Sequence, residues 1–156
     1  MQFQFLDAIP SPAPRLVVRL VNQDAIPADL EPVLAEAAKA SRFAGKPGQT
    51  FEGFVERSSA LARVALAGTG KADASDRTRA LEKAGGALAA KYLTSGESEL
   101  LLDLTGSGLS APDVAAVLLG LRLRSFRLDT YRTKLPEERK PTLEKVSVIG
   151  APEGTG

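Results

Sequence analysis

The chain has 156 residues, 44% of them hydrophobic and 25% charged, and its 20 Lys and Arg against 19 Asp and Glu leave a formal charge of +1. That length supports one domain with a real core, and the balanced charge gives no global field to draw in polyanions, so any basic site has to be local. The absence of cysteine and histidine removes disulfides, thiolate chemistry, the usual neutral-pH base and the commonest transition-metal ligand.

"QFQFL" (2 to 6) alternates polar and apolar residues, and "RLVVRLV" (15 to 21) is β-branched behind the connection "PSPAP"; both predict strands. The opening residues carry no basic leader ahead of a long apolar core, and no window approaches about eighteen uninterrupted apolar residues, which predicts a soluble cytoplasmic protein without a membrane span. From Pro27 the period changes. Leu30, Val33, Leu34, Ala37 and Ala38 share one face of a helix expected to end near Ser41. Asp24, Asp29 and Glu31 cluster before it, where the helix dipole favours carboxylates, so capping or solubilisation is expected of them rather than metal ligation.

"GKPGQ" breaks the chain, "TFEGFV" (50 to 55) predicts a strand weakened by Gly53, and "LARVALAG" (61 to 68) a strand buried on both faces. Gly68-Thr69-Gly70-Lys71 follows, a candidate anion-binding turn. A Walker A loop is not formed, because Ala65 and Ala72 stand where that motif needs glycine and Ser or Thr, and no glycine follows Gly70 at the Rossmann spacing. What remains is a turn whose amides face an anion, or else glycines that merely allow positive φ between strand and helix.

Ser75 is the expected cap of the next helix, whose Leu81, Ala84, Leu88 and Tyr92 form a stripe; Gly85-Gly86 costs it roughly 1 kcal/mol per residue against alanine, which points to close backbone packing. "ELLLDL" (99 to 104) is a further buried strand. In "TGSGLSAPD", Ser110, Pro112 and Asp113 have the chemistry of a helix start, and Ser107 and Ser110 do not stand in the G-x-S-x-G order of a nucleophile elbow. Val114, Val117, Leu118 and Leu121 carry that helix. "LRLRSFRL" (121 to 128) fits either period and is read as its continuation, since no turn signal intervenes. Arg122, Arg124, Arg127, Arg132, Lys134, Arg139 and Lys140 form a candidate patch for nucleic acid or a neighbouring domain, diluted by Asp129, Glu137 and Glu138. "EKVSVIG" (144 to 150) predicts the last strand, and "APEGTG" has the composition of a linker. The order of elements predicts an α/β domain with helices covering a mixed sheet, whose ligands would sit beyond the carboxyl ends of the strands.

"RVALAGTGKADA", the following helix with "KAGGALAAK", and "LSAPDVAAVLLGLRLRSFRLDTYRTK" running into a charged loop and a final strand together resemble the N-terminal domain of the leucyl aminopeptidase (cytosol aminopeptidase) family over roughly residues 15 to 149. The resemblance implies a macro-domain-like α/β fold, a mixed sheet sandwiched between helices, over 1 to 149 with a linker-like tail at 150 to 156. It also implies a parent enzyme in which a C-terminal catalytic domain binds two divalent metals, usually zinc or manganese, and removes N-terminal residues from peptides within a hexamer. The Asn-Thr-Asp-Ala-Glu-Gly-Arg signature of that chemistry is absent, so no catalytic or metal residue carries over, and no cofactor is expected in this chain. Three readings follow: a non-catalytic accessory domain, a DNA-binding or regulatory module using the 122 to 140 cluster, and a macro-like nucleotide binder.

Overall fold

β-Branched and leucine-rich segments alternate with helices of amphipathic period, and in the computed structural model they assemble into one six-stranded sheet of order β1-β6-β5-β2-β4-β3. The structure describes residues 2–10, 13–27, 30–57, 59–105, 107–129 and 142–152, without the side chains of 126–129. The strands are β1 (Gln2–Leu6), β2 (Leu16–Asn22), β3 (Thr50–Arg57), β4 (Ala60–Gly70), β5 (Glu99–Asp103) and β6 (Lys145–Ile149); the helices are α1 (Pro32–Ala40), α2 (Arg77–Tyr92) and α3 (Ala111–Asp129). All neighbours pair in parallel except β3, which runs antiparallel to β4. The expected mixed sheet between helices is present.

Period two decides which residues meet which helix. Leu16, Val18 and Leu20 face the same side as Ala65, Ala67, Leu100, Leu102, Val146 and Val148, and there they bury against α2 and α3. On the other side Val21, Val64 and Leu66 pack with Leu34 and Ala38 of α1, joined by Leu30 and Phe43. The α2 stripe Leu81, Ala84, Leu88 and Tyr92 is fully buried.

α2 and α3 approach backbone to backbone. A methyl group at Gly85 would overlap the Val117 carbonyl, and one at Gly120 would overlap the Glu82 carbonyl. The predicted packing role therefore holds at Gly85, whereas the nearest atom to a methyl at Gly86 lies 3.9 Å away, an ordinary contact.

Several local expectations are realised and others corrected. Residues 121–128 are helical, as part of α3. Its start is a reciprocal capping box: the Asp113 amide donates to Ser110 Oγ and the Ser110 amide to Asp113 Oδ2, both at 3.3 Å. Ser75 does not cap α2; Asp76 holds the N-cap position without a side-chain cap bond. α1 begins at Pro32 rather than near Pro27, and ahead of it the Leu30 amide donates to Pro27 O at 3.4 Å. Val33 and Ala37 are exposed, Val33 at 65%, and Leu34 and Ala38, with the half-buried Ala35, anchor the helix. Glu31, expected to cap, instead pairs with Arg57 of β3 at 2.6 Å. No helix among the described residues is long and apolar enough to cross a membrane.

Candidate functional site

The carboxyl ends of β2 and β4 are where an α/β sheet normally opens to a ligand. Here that end is covered by the chain itself. The segment 42–49 between α1 and β3 lies across it: Gly70 N donates to Gly45 O at 2.9 Å, Gly68 N to Gln49 O at 2.8 Å, and Asp24 N to Ala44 O at 2.8 Å. A Cβ at Gly68 would strike the Lys46 carbonyl and one at Gly45 would lie 2.7 Å from Asn22 O, so both glycines permit this close approach. The segment is itself wrapped around one side chain, since Gln49 Oε1 accepts from the amides of Ala44, Gly45 and Lys46 at 2.9, 3.1 and 3.2 Å.

Gly68, Thr69, Gly70 and Lys71 thus fall in strand β4 and just beyond it. Gly70 alone of the glycines there takes positive φ (+78°), Thr69 is fully buried, and Lys71 is exposed. Thr69 Oγ1 donates to Asn22 Oδ1 at 2.7 Å. Arg77, in the first turn of α2, donates to the same oxygen at 2.7 Å and to Thr69 O at 2.7 Å. Its guanidinium neutralises strand-end carbonyls, and the amides of Gly68 and Gly70 are both committed to backbone acceptors.

A second polar cluster, at the opposite end of the sheet, was not visible in the sequence. Arg63 of β4 binds Glu52 of β3 through Nε and Nη2 at 2.9 and 3.2 Å and reaches Glu97 at 3.4 Å. Arg15 Nε donates to the same Glu97 oxygen, Oε2, at 3.0 Å, and Tyr92 Oη donates to Glu52 at 2.7 Å. The Arg63 guanidinium also lies 5.2 Å from the Tyr92 ring centroid. The hydrogen bonds from Arg63 hold the Glu52 carboxyl below its usual range, against the opposing effect of burial, while burial and then the Glu52 acceptor push the Tyr92 hydroxyl up. Glu52 stays ionised and Tyr92 protonated near neutrality, so the cluster is a charge-balanced clasp between β2, β3, β4 and the end of α2 rather than a proton relay. Its one local signal was Arg63, a lone charge inside an apolar strand.

Of the basic candidates, Arg122 and Arg124 are exposed on α3, with the Arg122 guanidinium 4.7 Å from the Phe3 ring centroid. Arg127's side chain, and Arg132, Lys134, Arg139 and Lys140, lie outside the described residues. Ser107 Oγ accepts from the Leu109 amide at 3.3 Å, a turn role. No three His, Cys, Asp or Glu side chains among the described residues converge as metal ligands. An open surface depression of about 460 Å³ is lined by Asp24, Ile26, Lys39, Arg42, Phe43 and Ala44.

Comparison with known proteins places this geometry. A family model described as the N-terminal domain of the cytosol aminopeptidase family matches residues 17–135. The probable cytosol aminopeptidase of Chelativorans sp. (strain BNC1) is 36% identical over 117 residues, which is 75% of this chain and 23% of that protein. Its counterpart in Rhizobium etli (strain CIAT 652) is 34% identical over 126 residues, 80% of this chain and 25% of that protein. The chain thus spans about a quarter of the length of these curated relatives. Among solved structures, a mutant of tomato leucine aminopeptidase superposes with a TM-score of 0.68 at 21% identity, covering 100% of this chain and 33% of that one. The bottromycin maturation enzyme BotP gives 0.63 at 24% identity, covering 90% of this chain and 28% of that one. At those identities the structural likeness speaks for the fold.

Proposed function

The chain belongs to the cytosol aminopeptidase family as an N-terminal domain, and on that premise we propose that it is the non-catalytic accessory domain of a metallo-aminopeptidase, packing against a C-terminal catalytic domain to shape access or assembly. The carrying observation is the match to the N-terminal family model combined with the quarter-length span on the relatives. The chemistry of the described side chains supports the same reading. The polar groups at both ends of the sheet take their hydrogen-bond partners from within the fold.

In this reading the parent removes N-terminal residues from peptides in the cytosol, within a hexamer, and its two divalent metals, zinc or manganese, are held by the other domain. Two measurements test it. The purified chain with zinc or manganese should release no chromophore from leucyl-p-nitroanilide; turnover would contradict a non-catalytic role. It should also bind the separately expressed C-terminal part of the Rhizobium etli relative in size-exclusion chromatography, and failure to associate would count against an accessory role.

A further inference from the structure

We propose that the free edge of β1 is a self-association surface, on which a second copy of this chain pairs its own β1 in antiparallel register and joins two six-stranded sheets into one. This goes beyond the accessory role and does not rest on it. The sheet has two edges, β1 and β3. Edge strands present unpaired amides and carbonyls, and charged side chains are a usual guard against pairing there. β3 carries Glu52, Glu56 and Arg57, whereas Gln2–Leu6 has no charge, proline or glycine. The flank above that bare edge is apolar as well. Phe5 is 39% exposed, and Leu119 and Leu123, four residues apart on α3, are 45% and 55% exposed. They belong to one side of the molecule, because the Arg122 guanidinium of α3 covers the Phe3 ring at 4.7 Å.

The backbone selects the occupant. Gln2 N donates to Glu144 O at 2.8 Å, and the main-chain groups of alternate strand residues point the same way. Gln2, Gln4 and Leu6 therefore bond to β6, while the amides and carbonyls of Phe3 and Phe5 face outward. An antiparallel partner must set outward groups of its own opposite these two. Against its own sequence the strand does so with all 5 residues paired: Phe3 opposite Phe5, Gln4 opposite Gln4 on a two-fold axis, and Gln2 opposite Leu6. Each Phe3–Phe5 pair exchanges both main-chain hydrogen bonds and brings aromatic rings together on the α3 side. The first charge beyond the strand, Asp7, is exposed, and this register carries it past Phe3 of the other copy toward Arg122, which is exposed and opposite in sign. The same axis sets Leu119 and Leu123 of the two copies facing each other above the joined strands.

Sedimentation equilibrium of the whole chain over a wide concentration range tests this. Two short strands and two helix flanks make a small interface, so the mass should rise to twice that of one chain with a dissociation constant on the order of 10 µM. Phe5→Lys, and Leu123→Lys on the exposed flank of α3, each enter the interface twice and should weaken the dimer about tenfold. Circular dichroism and the melting temperature, read at a concentration where the parent chain is monomeric, should stay unchanged in both. The chain has no cysteine, so Gln4→Cys reads the register directly. A non-hydrogen-bonded antiparallel pair lies close enough for a disulfide, and mild oxidation should give a covalent dimer. Phe54→Cys, exposed on the other edge strand, should cross-link far more slowly. The inference is overturned if the mass stays that of one chain throughout, which would leave the β1 edge to a different partner such as a catalytic domain. It is equally overturned if neither lysine variant weakens the dimer, or if Gln4→Cys cross-links no faster than Phe54→Cys.

Discussion

The two faces of the sheet are held by different means. On one, α2 and α3 bury leucine, valine and alanine against the sheet and touch backbone to backbone at Gly85 and Gly120. On the other, Leu34, Ala38 and the half-buried Ala35 of α1 join a smaller apolar cluster with Val21, Leu30, Phe43, Val64 and Leu66, to which the Glu31–Arg57 pair and the 42–49 segment tied across the strand ends add polar ties. At those two glycines the first face has no room for a side chain. The second adds hydrogen bonds and an ion pair to its apolar contacts. The two sides of the sheet are thus held differently, by backbone contact between helices on one and by a smaller apolar cluster with added polar ties on the other.

Substitutions at the glycine seam should break the contrast most sharply. Gly85→Ala or Gly120→Ala puts a methyl into a carbonyl of the facing helix, so α2 and α3 must separate, and a loss of about 3 kcal/mol or more is expected in urea unfolding. Gly86→Ala, one residue along, meets only an ordinary contact at 3.9 Å and should be neutral or stabilising by up to about 1 kcal/mol. Equal effects at Gly85 and Gly86 would mean that helix propensity, not close approach, governs this seam.

The clasp at the amino ends of β2 and β4 should come next. Arg63→Leu leaves Glu52 with the Tyr92 hydroxyl and Glu97 with Arg15 alone, for an expected loss of about 2 kcal/mol. Because the folded-state value of Glu52 is depressed, its contribution is fully present above the unfolded value near 4.5 and disappears as pH falls through the lower folded value. Acid-unfolding profiles should therefore be steeper below about pH 4.5 in the parent chain than in Arg63→Leu. Parallel profiles would assign the acid sensitivity elsewhere. At the other end of the sheet, Thr69→Val removes a buried hydroxyl donor but leaves Asn22 Oδ1 bound by Arg77, so about 1 kcal/mol is expected in the same unfolding experiment.

Much of this architecture was legible because it rests on local periodicity. The six strands, the capping box at Ser110 and Asp113, and the packing role of Gly85 each express a pattern within a few residues. What escaped depends on partners far apart in the chain. Arg15 and Glu97 stand 82 residues apart, and nothing near either announces the other. "GKPGQ" read as a break, whereas its residues lie over the ends of β2 and β4 and bind the amides of Gly68 and Gly70. Val33 shared the helical period of Leu34 but fell on the outside, since a helix of nine residues resting on one sheet edge buries a narrower stripe than periodicity alone suggests.

The Glu31–Arg57 pair sets the lower bound of the comparison. Two short contacts of 2.6 Å join the carboxylate to the guanidinium, and Arg57 holds Glu31 below its usual range. Both side chains are nonetheless about one-third exposed, at 31% and 39%, so water screens the attraction and competes for both partners. Glu31→Gln should therefore cost only about 0.5 kcal/mol, and that cost should shrink as salt is raised. A loss as large as that of Arg63→Leu would show that α1 is held to β3 by charge more than by Leu34 and Ala38. Were that so, the α1 face would owe its attachment to electrostatics, and moderate salt alone would loosen the helix from β3.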